Sequence, residues 1–227
     1  MLRNLVTSKN PKSRSAEAFR TLRTNIQFSS LDKELRSIVV TSSGPGEGKS
    51  TVMANLALTM AESGKKVILI DCDLRKPTIH KKIGITNSTG LTNILVQNVK
   101  KQECIFKTTI DNLYILTSGP IPPNPAELLG TKKMRDFIEE LKGEFDLVLI
   151  DAPPVLAVTD AQILSTIADG VIFVASYGEA QKNAVVDAKL AIDKVGGKVL
   201  GIVFNKVPEA ASGYYAKYYK GYYGNEK

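Results

Sequence analysis

Residues 43 to 51 read Ser43-Gly44-Pro45-Gly46-Glu47-Gly48-Lys49-Ser50-Thr51, just after the apolar run Ile38-Val39-Val40. An apolar run, a glycine-rich turn and then Gly-Lys-Ser reads as a strand passing through a phosphate-binding loop into a helix. The glycines let backbone N–H groups converge on an anion. Lys49 adds positive charge for the outer phosphates, and the Ser50 hydroxyl can reach a Mg²⁺ ion. The helix expected from Thr51 to Glu62 points its positive dipole end at the same place. One position departs from the usual G-x-x-x-x-G-K-[ST] pattern, because Ser43 stands where the first glycine would be. Gly44 and Gly46 supply the flexibility instead. The whole run Gly44-Pro45-Gly46-Glu47-Gly48-Lys49-Ser50-Thr51 is assigned to the nucleotide.

Outward from this loop, short apolar runs rich in β-branched residues recur at Ser37–Thr41, Lys66–Ile70, Leu113–Thr117, Leu147–Ile150, Val171–Ala175 and Val199–Phe204. They are almost continuously apolar, as strands buried on both faces are. Helical patterns lie between them at Ser13–Ser29, Ser50–Ser63, Pro125–Lys142, Thr159–Ala168 and Ala180–Val195. Asn124-Pro125-Ala126-Glu127 offers a cap, a first-turn proline and a third-position glutamate. Gly64 and Gly196-Gly197 are helix stops. Gly119-Pro120-Ile121-Pro122-Pro123 is a stiff loop. Alternation of this kind predicts an α/β fold, a parallel sheet with helices on both faces. Functional groups then gather at the C-terminal strand ends.

Two runs deliver aspartates to that edge. Val67-Ile68-Leu69-Ile70 leads into Asp71-Cys72-Asp73, and Leu147-Val148-Leu149-Ile150 leads into Asp151-Ala152-Pro153-Pro154. In an extended chain Asp71 and Asp73 share one side. Asp151 stands at the usual place of the Mg²⁺-associated aspartate of phosphate-loop enzymes. The competing reading is that these aspartates cap loops or pair with Arg75 and Lys76. Asn205, at the end of the last strand, is a candidate for reading the base through its amide, although asparagine also ends strands for turn reasons.

The chain has 227 residues and a net charge of +7. Residues 1–212 are expected to form one domain. Residues 213–227 are tyrosine, glycine and lysine without an aliphatic anchor and are expected to form a mobile tail. No apolar run reaches membrane-spanning length, and Met1–Pro11 holds no signal-peptide core. Cys72 and Cys104 lack metal-ligand spacing and read as reduced thiols of a cytoplasmic protein. His80 reads as a surface or loop residue. Arg3, Lys9, Lys12, Arg14, Arg20 and Arg23 face one acid, Glu17, within the first 25 residues. Such an arm suits anionic partners, or it is simply a solvated helix face.

Taken together, the phosphate loop, Asp71-Cys72-Asp73-Leu74-Arg75-Lys76-Pro77 and Asp151-Ala152-Pro153-Pro154 resemble the bacterial tyrosine kinases. The likeness is to the type that works with a separate membrane-bound activator, and it runs over nearly the whole chain. Two further stretches carry it. Glu17-Ala18-Phe19-Arg20-Thr21-Leu22-Arg23 places Glu17, Arg20 and Arg23 along one helix face. In the family such a helix packs against the next subunit of a ring. The alternative is a surface helix satisfied by its own pairs. Tyr214-Tyr215, Tyr218-Tyr219 and Tyr222-Tyr223 form the second stretch. In the family such a cluster is the autophosphorylation substrate, presented to a neighbouring subunit.

The resemblance implies ATP and Mg²⁺, with Ser50, Asp73 and Asp151 at the metal and Lys49 on the phosphates. Asp71 is implied as the acceptor of the tyrosine proton, with the split of roles between Asp71 and Asp73 left open. It also implies control of capsule or exopolysaccharide synthesis and export, a homo-oligomer, and recruitment to the inner face of the membrane by the activator. Ala152 departs from the family, where a hydroxyl residue often follows the aspartate. Two other readings compete. A positioning ATPase of the ParA/MinD type shares the sheet and both aspartate motifs. It usually carries a further lysine near the start of the loop, where this chain has Gly44, and it leaves the tyrosine tail unexplained. A nucleic-acid module would use the basic arm and the tyrosines, but no recognised DNA-reading motif accompanies them, so no nucleic acid is expected.

Overall fold

The computed structural model describes residues 5–29 and 34–208. In chain order the elements are α1 (Val6–Lys9), α2 (Arg14–Phe28), β1 (Ser37–Ser42), α3 (Lys49–Glu62), β2 (Val67–Asp71), α4 (Ile79–Ile83), α5 (Leu91–Gln97), α6 (Lys101–Cys104), β3 (Ile105–Lys107), β4 (Leu113–Leu116), α7 (Pro125–Leu129), α8 (Lys132–Glu144), β5 (Leu147–Asp151), α9 (Asp160–Ser165), β6 (Gly170–Ser176), α10 (Lys182–Asp193) and β7 (Val199–Asn205). The tail tyrosines Tyr214, Tyr215, Tyr218, Tyr219, Tyr222 and Tyr223 lie outside the described residues.

The strands form one seven-stranded sheet in the order β3-β4-β2-β5-β1-β6-β7. Every neighbouring pair is parallel except β3 with β4. All six apolar runs read from the sequence are strands. β3 is an addition, since three residues at a sheet edge are too few to show an alternating pattern.

Successive residues of the central strands feed opposite faces of the sheet. On one face Val39, Ile68, Ile70, Val148, Ile150 and Phe173 meet α5 to α10. On the other, Ile38, Val40, Leu69, Leu149 and Val174 meet α2 to α4, joined by Leu5. Helix α3 has 11 buried residues along its 14 positions, too many for a helix with one face in water. The reason is a second layer. α2 packs over it, with Phe19, Leu22 and Ile26 joining that core. Asn55 of α3 accepts both the N–H and the hydroxyl of Thr7 from α1.

Three expectations are corrected. The helix read as Pro125–Lys142 is two helices. α7 ends at Gly130, and the Thr131 hydroxyl then caps α8 by accepting from the Met134 N–H. A local cap here outweighs the continuous apolar period. His80 is not a simple surface residue. It lies half-buried in α4, and its Nδ1 is buried with no partner among the described residues. The stretch between β2 and β4 also holds the short helices α4, α5 and α6, whose few residues give little periodic signal. Cys72 and Cys104 are free and buried.

Candidate active site

β1 lies between β5 and β6, and its C-terminal end runs into the glycine-rich loop. In strand register Asp151 stands beside Val40 on one side and Asp71 on the other. Three adjacent strands thus bring the loop and both aspartate motifs to one edge of the sheet. Gly46 and Gly48 have φ of 77° and 92°, a left-handed backbone that side-chain-bearing residues avoid. Lys49 opens α3, so the helix dipole and its ammonium act together.

The Lys49 ammonium lies 3.3 Å from Asp73 Oδ2, with the two side chains 14% and 7% exposed. Asp73 also accepts the Lys76 N–H. The Ser50 hydroxyl, at the second position of α3, accepts from Thr78 Oγ1 at 3.1 Å. Asp151 is fully buried, and neither carboxylate oxygen has a hydrogen-bond partner among the described residues. Desolvation pushes its pKa up to about 6, while Lys49 and the nearby Ser50 hydroxyl pull the other way. A buried carboxylate with both oxygens unused is a costly arrangement. It fits a cation. Among the described residues no three His, Cys, Asp or Glu side chains form a metal cluster. Mg²⁺ takes one or two protein oxygens and completes its shell with phosphate oxygens and water, and Ser50 and Asp151 offer such oxygens.

Asp71 plays a different structural part. It is fully buried. Its Oδ2 accepts the N–H groups of Thr78 and Ile79, and its Oδ1 accepts that of Asp73. It therefore caps the chain entering α4, the loop-capping alternative raised above. Desolvation and the Asp151 charge raise its pKa to about 7. Arg75 pairs with neither Asp71 nor Asp73. It makes a two-pronged pair with Asp160 of α9, with Nε–Oδ2 and Nη2–Oδ1 both 3.0 Å.

Asn205 turns its amide to the loop, where Nδ2 donates to the Glu47 carbonyl at 3.0 Å. The Gly44 N–H is taken by the Glu47 carboxylate. On α2, Glu17 and Arg20 form an i,i+3 ion pair at 2.6 Å, Arg20 also bonds the Pro11 carbonyl, and Arg23 reaches the Thr59 carbonyl. The helix thus makes pairs within its own chain. Asp160, Thr78 and Ser176 belong to the site's frame and were missed in the sequence. Asp160 meets Arg75 across 85 positions and the Ser176 N–H meets the Glu47 carboxylate across 129, so no local pattern announces them.

With this geometry in view, the chain matches the AAA-domain family over residues 22–195. It is 44% identical over 226 residues to the tyrosine-protein kinase YwqD of Bacillus subtilis (strain 168), covering 100% of this chain and 93% of that protein. The chain belongs to the bacterial tyrosine kinases. Another member, the tyrosine-protein kinase CpsD of Streptococcus agalactiae, is 39% identical over 213 residues, covering 93% of this chain and 90% of its own. The crystal structure of the chimeric protein CapA2B2 superposes with a TM-score of 0.87 at 41% identity, covering 90% of each chain. Likeness to the septum site-determining protein MinD of Pyrococcus horikoshii is weaker, with a TM-score of 0.65 at 28% identity, covering 78% of this chain and 76% of that one. The tyrosine-kinase relatives thus cover more of the chain, at higher identity, than the positioning ATPase does.

Proposed function

We propose that this chain is an ATP-dependent protein-tyrosine kinase that phosphorylates its own C-terminal tyrosines between subunits. The observation that carries the reading is the convergence of Lys49, Ser50, Asp73 and the buried Asp151 on the glycine-rich loop. The family membership supplies the acceptor class. Mg²⁺, held by Ser50 and Asp151 with Asp73 close by, would neutralise charge on the ATP phosphates.

The chain's own residues do the rest by position. The loop amides and the first turn of α3 hold the phosphates, and Lys49, steered by Asp73, meets the charge that grows during transfer. A tyrosine phenol has a pKa near ~10, so a base must take its proton at neutral pH. Asp71 has a suitably raised pKa but is enclosed by Thr78 and Ile79. Its use as the base requires the start of α4 to open. Asp73, less enclosed, is the alternative.

In this reading Tyr214, Tyr215, Tyr218, Tyr219, Tyr222 and Tyr223 are the acceptors. Each phosphate adds about −1.5 to −2 charge. Six would bring about −9 to −12, enough to reverse the formal +7 of the chain. Like-charged tails on adjacent subunits would then repel, which gives a switch for assembly and release. In a ring, Arg20 and Arg23 would exchange their present partners for carboxylates and carbonyls of a neighbouring subunit, and Glu17 its partner for a cation there. No helix among the described residues is long and apolar enough to cross a membrane. In this reading a membrane-anchored activator recruits the chain. The process served is capsule or exopolysaccharide synthesis and export, the setting that the resemblance implies.

The test incubates the purified chain with ATP and Mg²⁺ beside a Lys49→Met control and maps phosphorylation by peptide mass spectrometry. Phosphate on Tyr214 to Tyr223 in the wild type alone is the expected result. ATP hydrolysis without phosphotyrosine, even with membrane-activator fragments added, would move the assignment to a MinD-like positioning ATPase.

A further inference from the structure

Glu47 is the one acid between Ser43 and Thr51, and its charge is the wrong sign for a phosphate loop. A carboxylate near a polyphosphate repels it. Glu47 is nevertheless 6% exposed rather than turned out to water. Its Oε1 accepts the Ser43 hydroxyl and the Gly44 N–H, both at 2.6 Å. Its Oε2 accepts the Ser176 N–H at 3.2 Å, and its main-chain carbonyl accepts from Asn205. Ser176 ends β6 and Asn205 ends β7. The Ser176 hydroxyl in turn donates to Glu179, which pairs with Lys206.

We infer that Glu47 is a positioning residue, an internal anion that draws in the start of the loop and ties it to the ends of β6 and β7. This deepens the nucleotide reading above and rests on it. Three donors converge on one buried carboxylate, so its charge is compensated before any nucleotide arrives. They also use up the Gly44 amide. The amides left for a phosphate are those at the end of the loop and in the first turn of α3, where a helix leaves N–H groups without partners. Ser43 becomes intelligible in the same terms. Glycine at that position would lack the hydroxyl that Glu47 holds at 2.6 Å. The loop is therefore shaped from both sides, by Glu47 inside it and by Asn205 against its backbone.

The experiment titrates the purified full chain with ADP in the presence of Mg²⁺, follows thermal unfolding, and measures KM and kcat for ATP. In Glu47→Gln one accepting oxygen is replaced by a donor, which must face either the Ser176 N–H or the Ser43 and Gly44 donors. The Kd for ADP and the KM for ATP should rise about tenfold, with kcat at saturating ATP reduced by less than about threefold. Ser43→Gly should raise the same Kd by a smaller factor. Added to Glu47→Gln it should do nothing further, because its partner is already lost. A folded Glu47→Gln chain binding ADP within about twofold of wild type would overturn the inference. So would a loss confined to kcat, or full additivity of the two changes. If Glu47→Gln does not fold, Ser43→Gly decides alone, and an unchanged Kd overturns the inference. Wild-type chain that fails to bind ADP would remove the nucleotide reading, and this inference with it.

Discussion

The side-chain nitrogen of Asn205 lies 2.0 Å from where a β-carbon on Gly48 would stand. The end of β7 thus presses directly on the glycine that precedes α3. Gly48→Ala meets two obstacles, the clash and a backbone at φ 92°. The left-handed conformation alone costs about 1–2 kcal/mol. Gly48→Ala should lower the unfolding midpoint and abolish measurable ADP binding. Adding Asn205→Ala relieves the clash but not the dihedral, so the double variant should recover only part of the stability. Full recovery would show that contact, not conformation, makes glycine necessary here. Thermal melts with and without ADP measure both.

Asp151 gives a pH prediction. Its folded pKa of about 6 lies above the ordinary carboxylate value. Between about pH 4 and 6 the folded chain therefore binds more protons here than the unfolded chain. The stability of the chain in a chelator should fall as pH rises through that window. Above it, the buried charge costs on the order of 2–3 kcal/mol. Asp71, raised in the same direction to about 7, extends the trend upward. Asp151→Asn should flatten the curve and raise stability at pH 8 while destroying activity. Urea unfolding from pH 4 to 8 compares the two chains. Parallel curves would sink the argument.

Arg75 and Asp160 join the loop after β2 to the first turn of α9 across 85 positions of sequence. Asp160 is fully buried while Arg75 is 39% exposed, so solvent screens one end of the pair. Arg75→Ala strands a buried carboxylate and should cost about 2–3 kcal/mol, below the usual figure for a wholly buried pair. Asp160→Asn keeps one acceptor and should cost about 1 kcal/mol. Both should weaken activity by loosening the loop that carries Asp73. Urea midpoints give the order, and equal costs would contradict it.

Glu17, Arg20 and Arg23 are satisfied within the chain, but only loosely, at a half-exposed helix face. An exposed i,i+3 pair contributes about 0.3–0.5 kcal/mol. Changing all three to alanine should therefore leave the monomer's melting temperature within about 2 °C of wild type. It should lower the oligomer population in gel filtration with light scattering. An unchanged mass distribution would remove the interface assignment.

Much of the fold is legible in the sequence because its signals are local. Val67 to Asp71 and Leu147 to Asp151 read as buried parallel strands from composition alone, and both begin and end within one residue of the expected bounds. Less is legible where two local signals compete. The period through Pro125–Lys142 reads as one helix, yet the Thr131 cap and Gly130 divide it. The short helices and β3 between Ile79 and Lys107 fall below the length at which a period can be recognised.

The sequence by itself determined the strand–loop–helix at Ser43–Thr51, the aspartates ending two strands, and the family, because these are patterns of neighbours in the chain. Only the tertiary structure decided what each group does beside the others. It closed Asp71 behind Thr78 and Ile79 and buried the Asp151 carboxylate beside Lys49 and Ser50. It gave Arg75 to Asp160 and bonded the Glu47 carboxylate and the Asn205 amide to the loop's own backbone. The physical reason is that hydrogen bonds and charge pairs are settled by which strands lie side by side. The order β2-β5-β1-β6-β7 comes from burying both faces of the sheet together, which no single segment encodes.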